Sequence, residues 1–222
     1  KLSLEEDEPV IGSFEQDGMT FAVELGGESV SLIAVSYEKL PRELVEDQAL
    51  VIPDTVTPDG TGSYSVARIA DGALSSLAEE RADPSYVGAK ALFDQGDAPE
   101  PFDGRIGILT LSIPSSVSSI EDGAFSGSDT LQYLVVSDDN PEYASYDGAL
   151  YDAELSTLLL VPEGRAGAIR IAASATDIDP EVLSRCPLVS AVVVDEGNET
   201  FASKDGCLYS RDASSLIHAP SN

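Results

Sequence analysis

Two stretches of this chain are nearly the same: NPEYASYDGALYD at residues 140–152 and NETFASKDGCLYS at residues 198–210. Sliding the sequence against itself by 58 positions extends the match without a gap, through Ile120/Ile178, Val135/Val193, Val136/Val194, Asn140/Asn198, Asp147/Asp205, Gly148/Gly206, Leu150/Leu208, Tyr151/Tyr209, Leu158/Leu216 and Pro162/Pro220. An internal repeat of fixed period marks a stacked array, in which each unit is too thin to close its own core and buries its apolar face against a neighbour.

A finer step runs inside the repeat. Leu111 and Ile113 recur 23 residues on as Leu134 and Val136, then 35 residues on as Ile169 and Ile171, then 23 residues on as Val192 and Val194. The shorter step supplies one short strand and a brief return per turn of a coil, and the longer one is such a turn plus an insert. Leu111, Leu134, Ile169 and Val192 are therefore predicted to be successive rungs of a single apolar column. The insert contains Asp-Gly between short apolar-aromatic runs, and Asp-Gly accepts the two positive φ angles of a type I′ turn. Each insert is predicted to be a β-hairpin.

The stretch LTLSIPSSVSSIEDGAFSGSDTLQYLVV at residues 109–136 resembles the BspA-like leucine-rich repeat family: a strand ending in Ile-Pro, then V-x-x-I, then Ala-Phe, then the next Leu. The pattern falls on Leu111, Ile113, Pro114, Val117, Ile120, Ala124, Phe125 and Leu131, with Ser128 where the family often has Cys. The copy at residues 169–194 keeps Ile178, has Leu183 for the Phe and Cys186 at the Cys place, and departs at Ile171–Ala172. A third, looser copy is carried by LVIPDTV at residues 50–56 and IADGAL at residues 69–74, with a further hairpin expected around PDGTGSYSV at residues 58–66. The resemblance covers residues 50–220 and implies a bacterial secreted or surface-attached protein with an adhesive or recognition role.

The fold expected is α/β leaning to mostly β, a leucine-rich-repeat solenoid with inserted β-hairpins and an N-terminal antiparallel β cap. Residues 1–13, with Glu5, Glu6, Asp7 and Glu8 in a row, read as an acidic flexible leader. Residues 14–49 read as the cap, with turns at Asp17–Gly18 and Gly26–Gly27, followed by a short helix. Residues 50–222 form the solenoid, with an irregular insert at 75–108 that holds two short helices and a Pro/Gly loop. The chain opens without an initiator Met or an apolar leader core, which reads as a front that has been trimmed. At the back, either the second hairpin closes the stack or further repeats follow; we read the hairpin as the closing element.

Twelve basic against 40 acidic residues leave a formal charge of −28, a field that opposes nucleic acid and anionic lipid. No apolar run reaches the ~18–20 residues of a membrane-crossing helix. The partner expected is a protein or glycan. His218 is the only imidazole; it replaces Leu160 of the first copy and reads as a ladder or rim residue rather than a catalytic base. No nucleophile elbow, P-loop or dinucleotide fingerprint occurs, so neither catalytic residues nor a cofactor are expected. Metal ligands are not expected either, beyond weak surface calcium binding by Asp138/Asp139 or Glu5–Glu8. Cys186 and Cys207 read as two buried thiols.

If Leu134 and Val136 point inward, strand alternation sends Tyr133, Val135 and Val193 to an open face, joined by Leu159, Ile217 and Arg170. That apolar stripe with an arginine is the candidate binding surface. A glycan-acting enzyme with an acidic dyad and a purely structural stalk are the alternatives.

Overall fold

Asp-Gly sets the first turn. In the computed structural model, which describes residues 10–24, 28–58, 62–75, 77 and 107–220, Asp17 and Gly18 take φ of 52° and 78° and join β1 (Val10–Gln16) to β2 (Met19–Glu24) as an antiparallel pair. β3 (Ser29–Val35) continues antiparallel on β2. β1 thus starts ahead of the Phe14 boundary assigned to the leader. Residues 1–9 of that leader, the Gly26–Gly27 turn, the tip of the loop at 59–61 and nearly all of the 75–108 insert lie outside the described residues.

A single 3-10 turn and α1 (Arg42–Glu46) lead into alternating short strands: β4 (Ala49–Val51), β5 (Thr55–Val56), β6 (Tyr64–Ile69), β7 (Thr110–Ile113), β8 (Ser119–Ile120) and β9 (Tyr133–Val136). β4, β7 and β9 pair in parallel, with Leu50, Leu111 and Leu134 as direct register partners. β3, β6 and β8 also pair in parallel, bringing Leu32, Ile69 and Ile120 into one row. Leu32, Leu50, Ile69, Leu111 and Leu134 are all buried in one cluster, so the two sheets face each other across a shared core. Leu74, Ala124 and Phe125 fill it from the return segments.

The remaining strands are β10 (Tyr143–Tyr146), β11 (Ala149–Asp152), β12 (Thr157–Leu160), β13 (Gly167–Ile171), β14 (Asp177–Ile178), β15 (Val189–Val194), β16 (Phe201–Lys204), β17 (Cys207–Ser210) and β18 (Leu216–His218), with α2 (Pro180–Ser184) between β14 and β15. β13 and β15 pair in parallel with Ile169 opposite Val192, and β12 and β14 pair in parallel with Leu158 opposite Ile178. β10–β11 and β16–β17 are antiparallel pairs around Asp147–Gly148 and Asp205–Gly206, whose φ values are 49°, 80°, 53° and 77°.

The single column is corrected. All four rungs are buried, but Leu111 and Leu134 belong to one cluster, and Ile169 and Val192 belong to a second that also holds Tyr151, Leu158, Ile178 and Leu183. The cause is the position of the β10–β11 pair, which lies against β9 where the next parallel strand would run: Leu134 N–H donates to the Gly148 carbonyl at 2.9 Å. Alternation along β11 then sends Leu150 into the first core and Ala149 and Tyr151 into the second. The strand is a wall between two cores.

Each antiparallel pair is locked on its own turn by a buried asparagine. The Asn140 side-chain amide donates to the carbonyls of Pro114 (2.8 Å) and Val117 (2.9 Å), while its oxygen accepts from the N–H groups of Glu142 and Tyr143. Asn198 repeats the arrangement on Ala172, Ala175, Thr200 and Phe201. One side chain thereby satisfies two acceptors and two donors that would otherwise be buried unpaired. Asn198→Ala is expected to lower the unfolding free energy by about 3 kcal/mol or more. Asn198→Asp should recover little, because a carboxylate has no N–H to give the two carbonyls. Urea denaturation checks this, and a loss below ~1 kcal/mol for the Ala variant would contradict the lock.

Candidate functional site

The outward side of the parallel strands is built by alternation. Along β9, Leu134 and Val136 are buried while Tyr133 and Val135 are 41% and 48% exposed. On β13 and β15, Ile169, Ile171 and Val192 point inward, whereas Val193 is 42% exposed and lies opposite the exposed Arg170 in register. Val135 sits in one register row with Ser112 and Val51. Val51 is 53% exposed and stands two strands from Val135, across Ser112 of β7; applying the same alternation to LVIP would have named it.

Leu159 and Ile217 lie elsewhere. β12 carries Leu159 in the β10-β11-β12-β14 sheet, and β18 carries Ile217 in the β16-β17-β18 sheet. Leu159 lines a cleft of about 540 Å³ together with Phe125, Leu160, Val182 and Arg185. Ile217 is half-buried against the second core. Counting alternation from Leu158 and Leu216 gives a direction out of a strand but not the sheet to which the strand belongs.

Between Tyr133 and Arg170 stands the Asp147–Gly148 turn, held by an arginine that the sequence reading passed over. The Arg165 side chain is only 7% exposed. Its Nη2 donates to Asp147 Oδ2 at 2.9 Å and to the Ala168 carbonyl at 3.1 Å, and its guanidinium carbon lies 4.6 Å from the centre of the Tyr133 ring, within cation–π range. Asp147 Oδ2 also accepts the backbone N–H of Arg170 at 2.8 Å. Gly148 is required here: its φ is 80°, and a Cβ would fall 2.6 Å from Tyr133 Cδ1.

Arg170 is not a loose cation. Its Nε donates to Asp195 Oδ1 at 3.0 Å and its Nη2 reaches the same oxygen, while the Tyr146 hydroxyl donates to Asp195 Oδ2. The Tyr146 hydrogen bond first, and Arg170 second, hold the Asp195 carboxyl below the usual carboxylate range. The charges beside the stripe are thus already compensated, leaving Val51, Tyr133, Val135 and Val193 as its outward apolar surface.

Burial and backbone hydrogen bonds engage several further titratable groups. Burial lowers the half-buried His218 below the ordinary imidazole value. Cys186 is buried, its thiol is pushed up to about 12 by that burial, and it donates to the Val182 carbonyl at 3.4 Å. Cys207, expected to be buried, is partly exposed, and both thiols are free. In the cleft, Glu121 accepts the Asp71 N–H at 2.7 Å, and Asp179 caps α2 by accepting the Glu181 N–H at 2.9 Å. Among the described residues no group of three or more His, Cys, Asp or Glu is arranged to hold a metal ion. Asp138 and Asp139 are exposed turn residues, and Glu5–Glu8 lie outside the described residues.

Asp195 contributes stability that is present above the ordinary carboxylate range and is lost as pH falls through its lowered folded value. Tyr146→Phe removes the larger support, so the Asp195 carboxyl should titrate at higher pH in a carbon-13 NMR experiment. Arg170→Ala should shift it in the same direction by less. An unmoved Asp195 titration in Tyr146→Phe would contradict the assignment.

No protein-family profile and no curated protein matches the sequence. Among solved structures, the chain is similar to a leucine-rich repeat protein from Eubacterium ventriosum (22% identity over 41% of this chain and 25% of that one, TM-score 0.35). It is also similar to one from Bacteroides capillosus (15% identity, 82% and 98% covered, TM-score 0.46) and to a leucine-rich cell surface protein from Faecalibacterium prausnitzii (16% identity, 97% and 63% covered, TM-score 0.37). The match thus spans a quarter of the Eubacterium protein's length (25%) and under two thirds of the Faecalibacterium protein's (63%). At these identities the fold is read from the strand registers and not from the likeness. The structural neighbours are bacterial leucine-rich repeat proteins, consistent with the resemblance carried by the sequence.

Proposed function

We propose that this chain is a noncatalytic recognition scaffold of a secreted or surface-attached bacterial protein. In this reading residues 50–222 are a leucine-rich-repeat solenoid with inserted hairpins and an irregular insert at 75–108, residues 14–49 together with the start of β1 at Val10 are its antiparallel β cap, and residues 1–9 are an acidic leader. The binding surface for a protein or glycan is the strand face of Tyr133, Val135, Arg170 and Val193, extended by Val51. Leu159 and Ile217 stand apart from it, on other sheets.

The observation that carries the reading is the set of exposed apolar side chains on two parallel ladders that flank the Asp147–Gly148 turn, Val51 (53%) and Val135 (48%) on one and Val193 (42%) on the other. Apolar side chains fixed on paired strands, beside charges already paired, offer a partner burial without ordering or desolvation of loose ions. No helix among the described residues is long and apolar enough to cross a membrane.

A panel of extracellular-matrix proteins and immobilised glycans tests the proposal. The parent protein should bind at least one member saturably, and Val135→Glu/Val193→Glu should weaken that binding by about tenfold or more. Equal binding by parent and double variant would overturn the assignment of the face.

A further inference from the structure

The return segments of the array stack unevenly. Residues 70–75 lie directly on residues 121–128, with Gly72 N–H donating to the Gly123 carbonyl (3.0 Å) and Leu74 N–H to the Ala124 carbonyl (3.0 Å). The next return, from Asp179 through α2, has no main-chain hydrogen bond to residues 121–128 among the described residues. β12 lies at the level between them. It pairs with β14 and not with β8, and the Ile120 N–H of β8 donates to the Tyr143 hydroxyl at 3.2 Å. Beyond β12 the chain passes through Val161 and Pro162 and turns at Glu163–Gly164 toward β13, with no return segment of its own.

The skipped level is the cleft of about 540 Å³, within the ~300–1,000 Å³ of small-molecule sites. Its lining combines two chemistries. Phe125, Leu150 and Val161 are buried beneath it, Val182 is half-buried, and Leu159 stays 39% exposed in it. Around this apolar floor stand Glu121 and Asp122 on one wall, Asp179 and Glu181 on the other, and Glu163 past Pro162, with Arg185 as the one cation among the described lining residues. Glu121 and Asp179 are engaged by backbone N–H groups. The side chains of Asp122 and Glu163 make no hydrogen bond or ion pair among the described residues, and Glu181 has only an exposed contact with Arg185 at 3.9 Å.

We propose that this cleft binds a small amphiphilic cation, an ammonium or guanidinium head carried on an apolar body. The body lies over Leu159 and Val182, and the head meets the carboxylates of Asp122, Glu163 and Glu181. Low-dielectric walls strengthen that attraction beyond what the same charges exert on an open surface. Burial of the body against aliphatic side chains adds binding that a bare ion lacks. Charge also excludes this chain as the occupant: residues 78–106 are net acidic, and a second copy brings −28. The cleft shares no residue with Val51, Tyr133, Val135, Arg170 or Val193, so failure of the strand face and failure of the cleft are separate results.

Tryptamine, an indole on an ethylammonium chain, tests the proposal, because the protein has no tryptophan and the indole emission belongs to the probe alone. Titrated with the whole chain at low salt, it should bind saturably and about tenfold or more tighter than indole-3-propionate, which has the same ring and an anionic chain. Ethylammonium, the charge without the ring, should not displace it. Asp122→Asn/Glu181→Gln and Leu159→Lys should each weaken tryptamine about tenfold or more. Asp138→Asn/Asp139→Asn, which removes the same charge from an exposed turn outside the cleft, should leave it unchanged, as should Val135→Glu/Val193→Glu. All the cleft substitutions fall on exposed residues, and circular dichroism verifies the fold. Absence of saturable binding, equal affinity for the anionic indole, or equal weakening by the Asp138/Asp139 variant overturns the proposal. So does a basic peptide, Lys-Trp-Lys, that binds where tryptamine does not, because the occupant is then a protein segment.

Discussion

A parallel strand offers a row of N–H and C=O groups to its next neighbour, and at β9 that neighbour is absent. Asp147 and Gly148 stand in for it. The Gly148 carbonyl accepts from Leu134, and the Asp147 carboxylate accepts from Arg170 on the next ladder strand. Two residues thus carry both sides of a broken ladder, which requires positive φ at both, a glycine that Tyr133 can approach, and a cation to balance a partly buried carboxylate. Arg165 is that cation; without Asp147 its charge would sit in the protein uncompensated, the costly half of any buried pair.

From this break follow the two cores. β11 turns Leu150 toward one and Tyr151 toward the other, so the units on either side pack on a common wall without sharing a column. Stability in such an array is a sum of units and neighbour terms, and here the neighbour term between the two halves is a strand face plus one carboxylate. Among the described residues nothing rests on β17 and β18 as residues 165–178 rest on β11 and β12, and Leu216 is exposed where Leu158 is buried. The charge pairs at Arg165 and Arg170 also leave the strand face apolar and locally neutral on a chain that is otherwise strongly acidic.

Much of this was legible in the sequence because side chains that do the same job recur at the same offset. Asn140 and Asn198 matched as letters before their four hydrogen bonds were visible, and Ile69 aligned with Ile120 because the two are parallel neighbours. What periodicity cannot carry is the direction in which an insert folds. It places Leu159 outward from β12 but does not reveal that β12 belongs to a different sheet from β9, and it makes one column of four rungs where an inserted strand has divided them. Arg165 escaped because it lies in a loop, and its partner Asp147 had been assigned a turn's work only. Cys207 was expected to be buried and is partly exposed, because among the described residues nothing rests on β17 as residues 165–178 rest on β11.

The bridging role of Asp147 is measured most directly by amide hydrogen exchange at Arg170, in the parent and in Asp147→Gly, which keeps a turn tolerant of positive φ while removing the carboxylate. The account expects the Arg170 amide to exchange about tenfold faster or more in the variant, with the Leu111 amide in the first core unaffected. An Arg170 amide equally protected in both proteins would contradict it.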